Sequence, residues 1–127
     1  MKGITNKADA QIAVNAGVSG VIVSNHGGRQ LDGQPATIDV LKGIRATVGD
    51  DFLLFVDGGI RTGLDVFKCL AFGADATLIG RPVLWGLAAQ GSQGVYDVLM
   101  CIRNELDIAM ALTGCTKVAD ISYDCIC

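Results

Sequence analysis

The residues best equipped for chemistry are gathered in Ser24-Asn25-His26-Gly27-Gly28-Arg29-Gln30-Leu31-Asp32. His26 is the chain's sole histidine. Its imidazole changes charge near neutral pH and can take a proton from a substrate hydroxyl. Arg29 offers a planar fork of donors matched to a carboxylate. One loop therefore holds a base and an anion clamp. A hydrogen-bonded loop histidine beside a solvated arginine has the same short pattern, so the loop gains meaning only from its neighbours. Two further stretches supply them: Val56-Asp57-Gly58-Gly59-Ile60-Arg61 and Leu78-Ile79-Gly80-Arg81-Pro82. In each, a glycine turn lets backbone N–H groups approach an anion closely, and a helix start lies just beyond. Arg61 and Arg81 add full positive charge, which makes phosphate the fitting ligand.

Buried strands ending at these loops would place them side by side. Val21-Ile22-Val23 is an unbroken apolar run within a strand over 20–24, directly before the His26 loop. Phe52-Leu53-Leu54-Phe55-Val56-Asp57 is apolar on both faces and reads as a parallel strand covered on both sides, and Ala76-Thr77-Leu78-Ile79 as a shorter one. Lys2-Gly3-Ile4-Thr5 reads as the end of a strand whose beginning is missing. Between the strands, Ala8, Ile12, Ala13 and Ala16 mark a helix over 6–16 that Gly17 ends. Ile38, Leu41, Ile44 and Val48 mark a second helix, following Gln34-Pro35-Ala36-Thr37 and closed by Gly49. Thr62-Gly63-Leu64-Asp65 has the form of a capping box and opens a third helix, carrying Val66, Phe67, Leu70 and Ala71, that Gly73 ends. A short helix is expected over 83–89 and a long one over 94–112, stopped by Gly114, with a weakly structured tail beyond. Aligning Gly17 with Gly73 repeats helix, glycine stop, short gap and buried strand in the same order.

This alternation forces a parallel sheet, because parallel neighbours need a crossover connection. A doubly wound sheet and a (β/α)8 barrel both satisfy it. A doubly wound nucleotide fold normally places its glycine fingerprint after the first strand. Here glycines and arginines follow the last two strands, where barrels often bind phosphate. The 127 residues suit one domain, and 50% hydrophobic content is enough for a core. Ten basic against 13 acidic residues leave no electrostatic footprint for nucleic acid or an anionic membrane. No apolar run has membrane-spanning length and the start lacks a secretory layout, which points to a soluble, intracellular protein. The five cysteines, Cys69, Cys101, Cys115, Cys125 and Cys127, include no C-x-x-C pair and no second histidine, so reduced thiols are expected and no metal site. Cys69, Cys101 and Cys115 fall in apolar helical surroundings that suit small buried side chains, and Cys125 and Cys127 fray with the tail.

In order and spacing, the three loop stretches resemble the FMN-dependent 2-hydroxy-acid oxidase family that includes glycolate oxidase. Asp39-Val40-Leu41, Val66-Phe67-Lys68, Trp85-Gly86-Leu87-Ala88 and Met110-Ala111-Leu112-Thr113-Gly114-Cys115 extend the similarity over nearly the whole chain. The resemblance implies that this chain is the C-terminal half, about four βα units, of a (β/α)8 TIM barrel. It implies oxidation of a small (S)-2-hydroxy acid to a 2-oxo acid, with molecular oxygen reoxidising FMN to give hydrogen peroxide. His26 matches the family's catalytic base and Arg29 the residue that holds the substrate carboxylate. Lys2 matches the lysine beside the flavin's pyrimidine edge, Ser24 a flavin contact and Asp57 the ribityl ligand. Gly58, Gly59, Arg61, Gly80 and Arg81 match the phosphate cradle. The resemblance also implies a homo-oligomer when full length and a peroxisomal location, with cytoplasm the alternative because no targeting signal is readable.

The family's flavin-covering segment, its active-site tyrosines and the aspartate that orients the histidine belong to the half not represented here. Inward strand faces, including Leu53 and Phe55, are then expected to meet water and to favour association. Other readings are a dehydrogenase relative with a cytochrome or quinone acceptor, a non-catalytic fragment, and another barrel with the same phosphate grip. His26 and Arg29 in one loop argue against the last.

Overall fold

The structure is a computed structural model and describes residues 1–126. Cys127, expected to fray with Cys125, lies outside the described residues. The chain alternates through β1 (Lys2–Ile4), α1 (Lys7–Asn15), β2 (Gly20–Val23), α2 (Thr37–Val48), β3 (Leu53–Val56), α3 (Gly63–Ala71), β4 (Ala76–Thr77) and α4 (Arg81–Thr113). The strands form one sheet in the order β1-β2-β3-β4, every pair parallel, with Gly20 opposite Leu53 and Val23 opposite Val56. All four strands therefore end at the same edge of the sheet, and the candidate loops emerge there together.

Side chains alternate across a strand, so this register sends Val21, Val23, Leu54 and Val56 to one face. There they are closed to solvent in a core shared with Ala10 and Ala13 of α1 and Leu41 and Ile44 of α2. The other face has no helix over it. Leu53 is 49% exposed, as expected, whereas Phe55 is only partly so. Within this chain, the strand read as covered on both sides is covered on one.

The repeat has a structural counterpart. Gly17 N–H donates to the Val14 carbonyl and Val18 N–H to that of Ala13; Gly73 and Ala74 do the same to Leu70 and Cys69. Both glycines take positive φ, 75° and 98°, the left-handed step that closes such a helix end. The capping box forms too, with Thr62 Oγ1 accepting from Asp65 N–H and Asp65 Oδ2 accepting from the N–H groups of Thr62 and Arg61. Partial burial works against the Asp65 charge, but these hydrogen bonds outweigh it and hold the carboxyl below its usual range. At the opposite edge of the sheet, Arg45 donates to the carbonyls of Gly73, Gly49 and Phe52 and pairs with Asp75, whose Oδ2 also accepts from Leu54 N–H.

Several sequence expectations need correction. Ile12 is 63% exposed, and α1 packs through Ala10 and Ala13, whose small side chains let it lie close to α2. β4 stops at Thr77 because the chain turns toward Gly80, although Leu78 N–H still donates to the Val56 carbonyl. Cys101 is exposed although its neighbour Ile102 is buried, since consecutive residues are turned roughly 100° apart around the helix, and Cys115 is buried just past the helix. The tail is not loose. Two short 3-10 turns, Val118–Asp120 and Tyr123–Cys125, fold back so that Ile121, Cys125 and Ile126 pack against Phe67, Met110 and Cys115. Tyr123 meets Phe72 edge-on, with ring centroids 5.4 Å apart, and the Lys42 ammonium lies 3.2 Å from the Tyr123 centroid.

α4 contains a break at Gln90 and Gly91, in the gap between the two expected helices. Its second arm crosses the start of α3 at Gly63, whose N–H donates to Glu105 Oε2 at 2.7 Å. A Cβ at Gly63 would stand 2.2 Å from Leu106 N and 2.4 Å from the Ile102 carbonyl oxygen. Only main-chain atoms are there to yield, so Gly63→Ala is expected to cost about 1–3 kcal/mol, the range for overpacking, as a lowered midpoint in thermal unfolding. An unchanged midpoint would mean that the two helices do not approach this closely.

Candidate active site

β2 delivers the His26 loop, which Ser24 and Asn25 shape before the histidine is reached. Ser24 is buried, and its hydroxyl accepts from His26 N–H at 3.1 Å; Asn25 Oδ1 accepts from Gly27 N–H at 3.0 Å. The backbone then passes through three successive left-handed residues, His26, Gly27 and Gly28, at φ 54°, 67° and 73°. Histidine tolerates this region better than most residues, and glycine enters it without penalty, which accounts for the His-Gly-Gly order. The turn projects the imidazole from the sheet edge over Gly3, where a Cβ would come within 2.8 Å of His26 Cε1. The imidazole is exposed, and no carboxylate among the described residues hydrogen-bonds it.

Lys2 reaches across from β1. Its ammonium donates to Ser24 Oγ at 2.7 Å and pairs with Asp57 Oδ2 at the end of β3. Asp57 is held from behind, since Thr37 Oγ1 donates to its carbonyl at 2.5 Å. Its second carboxylate oxygen, Oδ1, is buried with no hydrogen-bond partner among the described residues. A buried carboxylate oxygen left without a donor marks a place for a ligand hydroxyl or amide. Beside it, the N–H groups of Gly58, Gly59 and Gly80 find no acceptor among the described residues.

These groups share one cavity of about 500 Å³. Lys2, His26, Arg29, Asp57, Gly58, Gly59, Arg61, Gly80 and Arg81 all line it. Ser24 lies beneath the wall, its hydroxyl serving Lys2 and His26. Four cations, Lys2, Arg29, Arg61 and Arg81, face a single carboxylate, Asp57, although the chain carries a net charge of −3. The positive charge is thus concentrated locally and suits a ligand with more than one anionic group.

Sequence reasoning missed four contributors. Thr37, at the start of α2, carries the hydroxyl that fixes Asp57, and a Cβ at Gly58 would press within 3.0 Å of that oxygen. Gly3 makes room for the imidazole, Gln30 lines the cavity, and the Trp85 ring lies 5.7 Å from the Arg61 guanidinium. Thr37 had one readable signal, a hydroxyl residue at a helix start one place too late to cap it, since the N-cap is Ala36.

The family model for FMN-dependent dehydrogenase matches residues 1–127. The chain is 53% identical over 126 residues to 2-hydroxyacid oxidase 2 of Bos taurus, covering 99% of this chain and 36% of that protein. It is 54% identical to a peroxisomal (S)-2-hydroxyacid oxidase of Arabidopsis thaliana over 122 residues, 96% of this chain and 34% of that protein. Among solved structures it matches mandelate oxidase with benzoyl-formic acid, with a TM-score of 0.91 and 50% identity over 94% of this chain and 36% of the other. That neighbour is a TIM barrel, and the four βα units described above are part of such a barrel. The chain spans about a third of the length of these relatives.

Proposed function

The chain belongs to the FMN-dependent dehydrogenase family, and from that premise we propose that it is the part of a (β/α)8 barrel carrying the base and phosphate site of an (S)-2-hydroxy-acid oxidase. The observation that carries this reading is a single cavity holding His26, Arg29 and both glycine-arginine turns around the unpartnered Asp57 Oδ1. FMN fits these residues. Asp57, through its unpartnered oxygen, would hold the ribityl hydroxyls, and the N–H groups of Gly58, Gly59 and Gly80 with Arg61 and Arg81 would hold the phosphate. Ser24 belongs to the same assembly by holding Lys2 toward the flavin. When bound, FMN supplies the acceptor for the two electrons that leave the substrate's α-carbon.

The chain's own residues do the rest. Arg29 binds the substrate carboxylate through two parallel N–H donors and so sets which face of the α-carbon is presented. His26 takes the proton of the α-hydroxyl at an imidazole nitrogen as that carbon becomes a carbonyl. Lys2, its ammonium fixed by Ser24 and Asp57, would place positive charge beside the bound cofactor. Oxygen is the proposed final acceptor of those electrons, with hydrogen peroxide as the product. Residues 1–127 constitute one partial domain, and the complete protein is a homo-oligomer located in the peroxisome, or failing that the cytoplasm; the peroxisomal plant relative supports the former.

The test is an assay of the complete barrel containing this segment, with glycolate, lactate and longer 2-hydroxy acids under air. Equal amounts of 2-oxo acid and hydrogen peroxide are expected. Flavin reduction by substrate with no peroxide, and electron transfer only to added quinone or cytochrome, would replace the oxidase with a dehydrogenase. Failure to retain FMN at all would remove the whole reading.

A further inference from the structure

We propose that Cys115 and Cys125 are a redox-modification site, a thiol pair that closes into a disulfide on meeting a hydroperoxide and fastens the C-terminal tail to the end of α4. Their sulfurs lie 3.7 Å apart, in van der Waals contact, and need only draw together to a bond of about 2 Å. Each is held by its own turn. Cys115 N–H donates to the Met110 carbonyl past the Gly114 turn, and Cys125 N–H to the Ser122 carbonyl. The tail between them is pinned as well, with Asp120 Oδ2 accepting from the N–H groups of Thr116 and Lys117, and Tyr123 seated between Phe72 and Lys42. The pair is therefore positioned before any oxidation, and bond formation requires no refolding.

The two thiols differ in a way that assigns their roles. Cys125 is partly exposed and Cys115 buried. Hydrogen bonds from the Ser122 backbone and hydroxyl hold the Cys125 thiol below its usual range, with Cys115 helping and Asp124 opposing. Cys125 is thus the attacking sulfur. Its thiolate attacks the terminal peroxide oxygen, the O–O bond breaks, and Cys125 becomes a sulfenic acid as the other oxygen takes up a proton and leaves, as water from hydrogen peroxide or as an alcohol from an organic hydroperoxide. Cys115 Sγ then attacks Cys125 Sγ, the S–O bond breaks, and a water leaves with the remaining thiol proton. Two thiols lose two electrons in all, and one hydroperoxide gains them.

The other described thiols lack this combination. Burial, with Asp65 nearby, pushes the Cys69 thiol up to about 11, and Cys101 is exposed but has no sulfur partner among the described residues. The inference goes beyond the proposed oxidase reaction. That reaction releases hydrogen peroxide, but any hydroperoxide serves, so adding peroxide directly separates failure of this proposal from failure of the other.

The experiment treats the reduced, folded protein with hydrogen peroxide, blocks remaining thiols with iodoacetamide and digests with trypsin without reduction. Cleavage after Arg103 and Lys117 places Cys115 in peptide 104–117 and Cys125 in peptide 118–127. The expected result is a disulfide-linked pair of these peptides, lost on adding dithiothreitol, with a raised thermal midpoint in the oxidised protein. The linked pair should persist in Cys127→Ser and vanish in Cys125→Ser and Cys115→Ser, each variant checked for folding by circular dichroism. A link that persists in Cys125→Ser and vanishes in Cys127→Ser would overturn the assignment. So would full alkylation of Cys115 and Cys125 in the parent protein after peroxide treatment, a readout independent of any variant.

Discussion

Replacing His26 with Gln in the complete barrel is expected to leave FMN bound and to lower turnover by roughly 10²- to 10⁴-fold, the contribution usual for a positioned general base. The separation of effects follows from geometry. The His26 imidazole lines the same cavity as the phosphate turns but makes none of the contacts that hold Lys2 and Asp57. Its backbone sits at φ 54°, however, so an uninformed substitution adds strain to the loss of the base. Asn, which enters the left-handed region more readily than Gln, is therefore the companion variant, and both should show the same loss. FMN affinity and kcat measured together decide the matter. A rate within about threefold of the parent in both variants would remove His26 from the mechanism.

Arg61→Ala and Arg81→Ala should each weaken FMN binding by about 1.5–3 kcal/mol, the range for hydrogen bonds to charged groups. The two losses should be unequal. Arg61 lies over Trp85 at 5.7 Å, and part of any phosphate contact it makes replaces that cation–π attraction, whereas Arg81 reaches toward Gly27 with no such competitor. Arg81→Ala is accordingly the larger. Because both turns open on one cavity, the double variant should also depart from the sum of the singles by about 0.5–3 kcal/mol. Flavin titration by fluorescence quenching measures all three. Strict additivity would mean that the two arginines do not meet on a common phosphate.

What the sequence disclosed was whatever is local. The glycine stops and the Thr62 capping box depend on residues a few places apart and formed as read, and the apolar runs became strands where expected, though β3 is covered on one face and β4 is cut short at Thr77. The grouping of His26, Arg29, Asp57, Arg61 and Arg81 was legible for a topological reason, since parallel strands must release their loops at one edge. What escaped depends on contacts between elements distant in the chain. Glu105 closes the start of α3 from 42 positions away, and the tail is ordered by Phe67, Phe72 and Lys42, none of them in its own sequence neighbourhood. Cys101 was misread because a helix turns buried and exposed sides within one residue, finer than an averaged apolar setting can resolve.

The two edges of the sheet use their polar groups in opposite ways. At one, the Arg45 guanidinium ties together carbonyls on either side of β3 and, through Asp75, the Leu54 N–H within the strand. At the other, the donors of Gly58, Gly59 and Gly80 and one oxygen of Asp57 are held back from the protein itself. The main chain is consequently cross-tied at the Arg45 end of the strands and keeps unfilled donors at the other. A bound anion then acts as a removable piece of secondary structure. An anion seated there would complete the hydrogen bonding that the chain left open and would tie the loops after β3 and β4 to each other.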